Sequence, residues 1–266
     1  MKDRYVTVMG RRVDYISFGK GTRVLVMIPG RGEGLKSVRG TRLPTSLSFR
    51  EFSKDFTVYM FGRSDDMPRN STTRDMAEEL YLAMRAVGIE QASVLGVSQG
   101  GMIAQWLSLD HPQAVDRLVL RVTSGKLTEE YIDVLVNWMR MAEQGRYKDI
   151  MLDTAEKYYT PAYYAKNKTV YGLVTGLVKV KDFTKFITSI KACISHDCID
   201  RLKDIKSRTL VIGASEDKIV GPRASEYLAR NIPDAKLVMI EGYGHGVNDE
   251  YASFNHLIYD FLVKED

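Results

Sequence analysis

The stretch Ser93-Val94-Leu95-Gly96-Val97-Ser98-Gln99-Gly100 governs how the whole chain is read. Residues 93–97 form a short apolar run of strand character, and residues 100–109 read as the helix that follows. The G-x-S-x-G pattern of Gly96, Ser98 and Gly100 therefore lies where strand turns into helix. A serine at so sharp a turn is held in a strained backbone conformation with its hydroxyl exposed above the sheet. Glycines two residues to either side let strand and helix approach closely. The pattern alone is common by chance; its setting points to a nucleophile rather than to a Gly-Ser turn that merely starts a helix.

Toward the N-terminus, Val24-Leu25-Val26-Met27-Ile28 is a continuous apolar run closed by Pro29-Gly30, as expected of a strand covered on both faces of a mainly parallel sheet. Before it, alternation through Tyr5-Val6-Thr7-Val8 and Val13-Asp14-Tyr15-Ile16 around Gly10-Arg11-Arg12 predicts an edge hairpin. Residues 57–61 give another strand, and Ser71-Thr72-Thr73 opens a helix that runs to about Val87 and ends at Gly88. Toward the C-terminus, residues 117–120 are a strand. The strand signal then disappears between 124 and 200, where helical patterns such as 127–141 and 181–194 alternate with tyrosine-rich loops. Strand-helix alternation resumes at 209–213, 222–230, 236–240 and a last helix over 248–264. The expectation is an α/β fold with a doubly wound sheet, a core of residues 1–123 and 201–266, and a helical insertion over 124–200.

The composition agrees with such a core. Hydrophobic residues make up 44% of the 266 and charged residues 27%, which excludes disordered, collagen-like and membrane-embedded chains. A net charge of +4 without a polybasic run argues against nucleic acid or anionic lipid as the main partner. No stretch approaches the roughly 20 apolar residues a membrane span needs. Cys193 and Cys198 are too few for a disulfide framework, and Met1-Lys2-Asp3-Arg4-Tyr5 lacks the apolar run of a secretory signal, so a cytoplasmic setting is expected.

A serine hydroxyl needs a base to take its proton and an acid to orient that base. Two strand-end loops downstream supply them. Ala214-Ser215-Glu216-Asp217-Lys218 follows the strand at 209–213, and Gly242-Tyr243-Gly244-His245-Gly246 follows the strand at 236–240. The chain order Ser98, Asp217, His245 is the order found when a nucleophile elbow sits on an α/β sheet. His111, His196 and His256 compete for the base, but none lies in a glycine-flanked strand-end loop. Glu216 and Asp249 compete for the acid. Cys193, His196 and Cys198 lack a second pair of ligands for zinc, and Pro29-Gly30-Arg31-Gly32-Glu33-Gly34 matches neither a phosphate loop nor a dinucleotide fingerprint. No metal and no organic cofactor is expected.

On these residues the chain resembles the α/β-hydrolase superfamily over 24–123 and from 202 onward, with the insertion matching only loosely. The resemblance implies an eight-stranded, mostly parallel sheet with the nucleophile after the fifth strand, the acid after the seventh and the histidine after the eighth. These positions fall on Ser98, Asp217 and His245. It implies an oxyanion hole built from the backbone N–H of Gln99 and, from the loop after the third strand, that of Arg31. Where the family often has His-Gly, this chain has Pro29-Gly30. The insertion becomes a cap, in which Tyr147, Tyr158, Tyr159, Tyr163, Tyr164 and Tyr171 either line a pocket or pack the cap. The resemblance implies a small-molecule substrate, a small carboxylic ester or related acyl compound cleaved through an acyl-enzyme. The alternatives are peptide, lactone, thioester or carbon–carbon bond cleavage at the same site, or a receptor that does not turn over. A dehalogenase would need aspartate at Ser98.

Overall fold

Alternate residues of the central strands feed two different apolar layers, and this is what buries the sheet. The computed structural model describes residues 4–178 and 180–264; Met1, Lys2 and Asp3 of the opening stretch, Lys179 and the last two residues lie outside the described residues. In β3 (Arg23–Ile28), Val26 and Ile28 face one layer while Leu25 and Met27 face the other. In β5 (Ala92–Val97), Val94 and Leu95 divide in the same way. Strands covered on both faces read as unbroken apolar runs, as these do.

Eight strands form one sheet in the order β1-β2-β4-β3-β5-β6-β7-β8. The remaining six are β1 (Arg4–Val8), β2 (Arg11–Gly19), β4 (Phe56–Phe61), β6 (Val115–Arg121), β7 (Arg208–Ala214) and β8 (Ala235–Ile240). β1 and β2 pair antiparallel, as do β2 and β4, and every other pairing is parallel. The edge hairpin and the mostly parallel sheet are those expected from the sequence. Helices α2 (Thr73–Ala86), α3 (Gln99–Asp110) and α8 (Pro222–Asn231) contribute to one layer, and α10 (Phe254–Val263) to the other. A capping box between Thr72 and Asp75 starts α2.

Between β6 and β7 the chain makes α4 (Glu129–Glu143), α5 (Tyr147–Tyr158), α6 (Pro161–Leu177) and α7 (Thr184–Ile194) around a third apolar cluster centred on Trp138, Phe186 and Ile190. An antiparallel bridge between Lys126 and Asp197 holds the start and end of this segment side by side. No helix among the described residues is long and apolar enough to cross a membrane.

Two sequence expectations need correction. The tyrosines expected in loops of the insertion lie mostly on helices, Tyr147 and Tyr158 in α5 and Tyr163, Tyr164 and Tyr171 in α6. The last helix is not continuous: α9 (Val247–Glu250) and α10 are separated by residues 251–253, and the backbone of Tyr251 is extended. The Glu250 carboxylate is drawn to Thr160 at the head of α6, accepting from its N–H at 3.0 Å, while the Tyr251 ring packs edge-on against Tyr243. These tertiary contacts override a helical pattern. The short α1 (Arg42–Ser48) was not expected; its residues are all at least partly exposed, so it carries no apolar stripe.

Candidate active site

Ser98 joins β5 to α3 with φ 53° and ψ −119°, a conformation unfavourable for a residue with a Cβ. The surrounding bonds hold it there. Its N–H donates to Arg121 O at 2.9 Å, and its carbonyl accepts from Gly101 N at 2.8 Å and Thr123 Oγ1 at 2.7 Å. Val122, also at positive φ (42°), turns the chain so that Thr123 follows the end of β6. The glycines are demanded by space. A Cβ on Gly96 would lie 2.5 Å from Gly100 O, and one on Gly100 would lie 2.1 Å from Ile28 O.

Asp217 and His245 come from the loops after β7 and β8 and meet in the interior. His245 Nδ1 lies 2.8 Å from Asp217 Oδ2, and both residues are buried. The other carboxylate oxygen accepts from Ile219 N at 2.8 Å and Val220 N at 3.1 Å. Burial alone would raise the Asp217 pKa, but His245 and these N–H donors outweigh it and hold the carboxyl below its ordinary value. An ionised carboxylate only accepts, so Nδ1 carries the proton and the Nε2 lone pair is left for other work. The Tyr158 ring packs edge-on against the imidazole, 5.3 Å between centroids, and Gly246 N donates to Tyr158 O at 2.6 Å. A Cβ on Gly246 would strike the Tyr158 ring at 2.4 Å.

Ser98 and His245 line one cavity of about 390 Å³, together with Gly30, Arg31, Tyr158 and Cys193. A Cβ on Gly30 would lie 3.5 Å from Ser98 Cβ, so the loop after β3 runs directly beside the serine. Arg31 and Gln99 each open a helical turn, where the N–H has no acceptor within the helix, and neither N–H donates to a backbone carbonyl outside it among the described residues. The loop is braced from below. Arg63, just beyond β4, donates to Pro29 O at 2.9 Å and Gly30 O at 2.7 Å, and pairs with buried Glu33 at 3.3 Å. Lys185 of α7 completes the cluster, donating at 2.8 Å to Glu33, to Asp65 and to the Arg63 carbonyl. The sequence reading missed this group. The topology could have found it: β4 lies beside β3 in the sheet, so the residue after one strand end neighbours the loop after the other.

The competing residues fall elsewhere. His111 stacks on Tyr81 and bonds Glu78, His196 bonds Thr73 Oγ1 at 2.8 Å, and His256 is exposed beside Glu51. Glu216 is exposed, and Asp249, though on the cavity rim, bonds Tyr159 Oη at 2.9 Å. His196 Nε2 and Cys198 Sγ are 3.5 Å apart, but the described residues contain no group of three or more potential ligands placed to hold a metal ion. Burial pushes the Cys193 thiol up to about 11, so it is no thiolate near neutrality. The tyrosines divide between the two roles foreseen for them. Tyr158, Tyr159 and Tyr171 line the cavity, whereas Tyr147 is buried in the helical cluster.

A strained serine above a mostly parallel sheet, with a buried Asp–His pair on the same cavity, defines the hydrolase class of α/β enzymes. The family model for the alpha/beta hydrolase fold matches residues 23–251, and the chain belongs to that family. It is 26% identical over 264 residues to a 2-hydroxy-6-oxononadienedioate/2-hydroxy-6-oxononatrienedioate hydrolase of Paraburkholderia phymatum, covering 94% of this chain and 91% of that protein. Among solved structures it superposes with TM-score 0.88 on MGS-M2, an alpha/beta hydrolase enzyme from a Medee basin deep-sea metagenome library, at 23% identity with 99% and 98% of the two chains covered. It superposes with TM-score 0.83 on the enol-lactonase from Burkholderia xenovorans LB400, at 20% identity with 98% and 100% covered.

Proposed function

We propose that the protein is a serine hydrolase that cleaves a small carboxylic ester or related acyl compound through an acyl-enzyme. The observation that carries this reading is the presence of strained Ser98 and the buried Asp217–His245 couple on one cavity. Ser98 Oγ attacks the acyl carbon while His245 Nε2 takes its proton and then delivers it to the leaving group. Asp217 keeps the other ring nitrogen protonated and stabilises the imidazolium. The backbone N–H groups of Arg31 and Gln99 receive the oxyanion. Water, activated by His245, then releases the acid and restores Ser98. All of these steps use protein groups and water.

Residues 124–200 act as a cap over this site: Tyr158, Tyr159 and Cys193 line the cavity from that segment. The reading places the protein in a reducing cytoplasm, in keeping with two free, buried cysteines. A second reading, carbon–carbon or lactone cleavage by the same residues, draws on the similarity to the nonadienedioate hydrolase and the enol-lactonase. The test is labelling by a fluorophosphonate probe and turnover of p-nitrophenyl esters, lactones and 2-hydroxy-6-oxononadienedioate. Ser98→Ala should abolish both labelling and turnover while remaining folded. Unchanged turnover in that variant would remove Ser98 from the mechanism.

A further inference from the structure

Partly buried Arg31 is unlike Arg63, the buried cation that braces its loop. Arg63 spends its guanidinium on two carbonyls and a carboxylate. The Arg31 guanidinium lies over two aromatic rings, its Cζ 4.2 Å from the Trp138 ring centroid and 4.8 Å from that of Phe186. No carboxylate pairs with it and none of its N–H groups finds a protein acceptor among the described residues. Burial draws its pKa down to about 10, so it stays charged at neutral pH. A guanidinium packed on aromatic rings makes no hydrogen bond through them, so its five N–H donors remain for a ligand that can accept.

The residue borders open space. Arg31 lines both the 390 Å³ cavity that holds Ser98 and an adjoining one of about 340 Å³, and Thr154 of α5 is common to both. Thr154 Oγ1 is itself buried with no hydrogen-bond partner. The acids nearby are already engaged. Glu33 is held by Arg63 and Lys185, and Asp249 accepts from Tyr159. Exposed Lys36 adds positive charge to the second cavity.

We propose that the Arg31 guanidinium and Thr154 hydroxyl form a carboxylate-binding subsite, so that the preferred substrates are acyl compounds carrying a free carboxylate remote from the bond that breaks. The inference rests on the hydrolase reading above for the word substrate; the anion site itself does not. A planar guanidinium meets a carboxylate with two parallel N–H donors, and Thr154 supplies a third donor from α5.

The test compares p-nitrophenyl half-esters of adipic and pimelic acids with p-nitrophenyl hexanoate and heptanoate, with Ser98→Ala as background. Wild type should favour the charged member of each pair by about tenfold or more in kcat/KM, the scale of one charge-assisted hydrogen-bonded pair. Arg31→Gln should bring that ratio to about one, chiefly through KM of the charged esters. Arg31→Lys should keep part of the preference, and Thr154→Val should lower it severalfold where Thr154→Ser does not. Calorimetry on Ser98→Ala should show adipate binding that the added Arg31→Gln removes. If Arg31→Gln does not fold, the Thr154 pair and adipate binding decide. Neutral esters turned over with no charged preference and no adipate binding would overturn the subsite and leave the hydrolase standing. Adipate binding that depends on Arg31, without labelling or turnover of any ester, would support the subsite and overturn the hydrolase.

Discussion

At the scale of single residues, the site depends on atoms that are absent as much as on those present. Gly100 has the Ile28 carbonyl where a Cβ would sit, at 2.1 Å, and both partners are backbone, so neither can yield cheaply. Gly100→Ala should cost about 3 kcal/mol or prevent folding outright. Gly172, in α6, has nothing within 4 Å of its would-be Cβ. Gly172→Ala should stabilise by roughly 0.5–1 kcal/mol by restricting the unfolded chain. Urea unfolding of the two variants should thus give shifts of opposite sign, and equal shifts would refute the spatial argument. Asp217→Asn tests a different residue property. The amide can present its NH₂ to His245 Nδ1, which moves the ring proton to Nε2 and leaves no base for Ser98. Ester kcat should fall by about three to four orders of magnitude, while a fall under tenfold would exclude Asp217 as the orienting acid.

Elements place these residues, and here the buried cluster after β4 is decisive. Arg63 ties Pro29 and Gly30 to the sheet, Glu33 neutralises it, and Lys185 reaches in from α7, so the loop bearing the Arg31 N–H is fixed from two sides. Arg63→Met would strip two carbonyls of their donor and leave Lys185 as the sole partner of the buried carboxylate. It should lower kcat by about ten- to a hundredfold with a smaller change in KM, and lower stability by about 3 kcal/mol. An unchanged kcat would mean that the loop holds its shape without the brace. The same level shows what sequence can convey. Glycine spacing, apolar runs and strand-end loops are local signals, and through them the parallel sheet, the strained turn at Ser98 and the loops that bring Asp217 and His245 together were legible. The Arg63–Glu33–Lys185 cluster joins residues up to 152 positions apart and has no local signature. The break between α9 and α10 was hidden for the same reason, since its cause is Thr160 across the fold.

For the molecule as a whole, acid stability should be governed by a residue outside the site. His196 follows α7 but hydrogen-bonds Thr73 at the head of α2, joining parts of the chain 123 residues apart. Burial pushes its pKa down to about 4, so the native imidazole is neutral over most of the acidic range. The unfolded chain, with an ordinary histidine pKa near 6.5, binds the proton first as pH falls. Stability is therefore complete above about pH 6.5 and is lost progressively toward pH 4, by up to about 3 kcal/mol for this one group. Asp217 acts in a different window. Its folded pKa is depressed, so its contribution is present above the ordinary carboxylate pKa near 3.8 and is lost only as pH falls below that value. Replacing His196 by Gln keeps a polar partner for Thr73 and removes the titration. The variant should begin about 1 kcal/mol less stable at pH 7 and show a flatter fall between pH 6.5 and 4, so that the two stability curves converge and then cross. Denaturant unfolding at half-unit pH steps measures this, and parallel curves through that window would show that His196 does not set the acid limit.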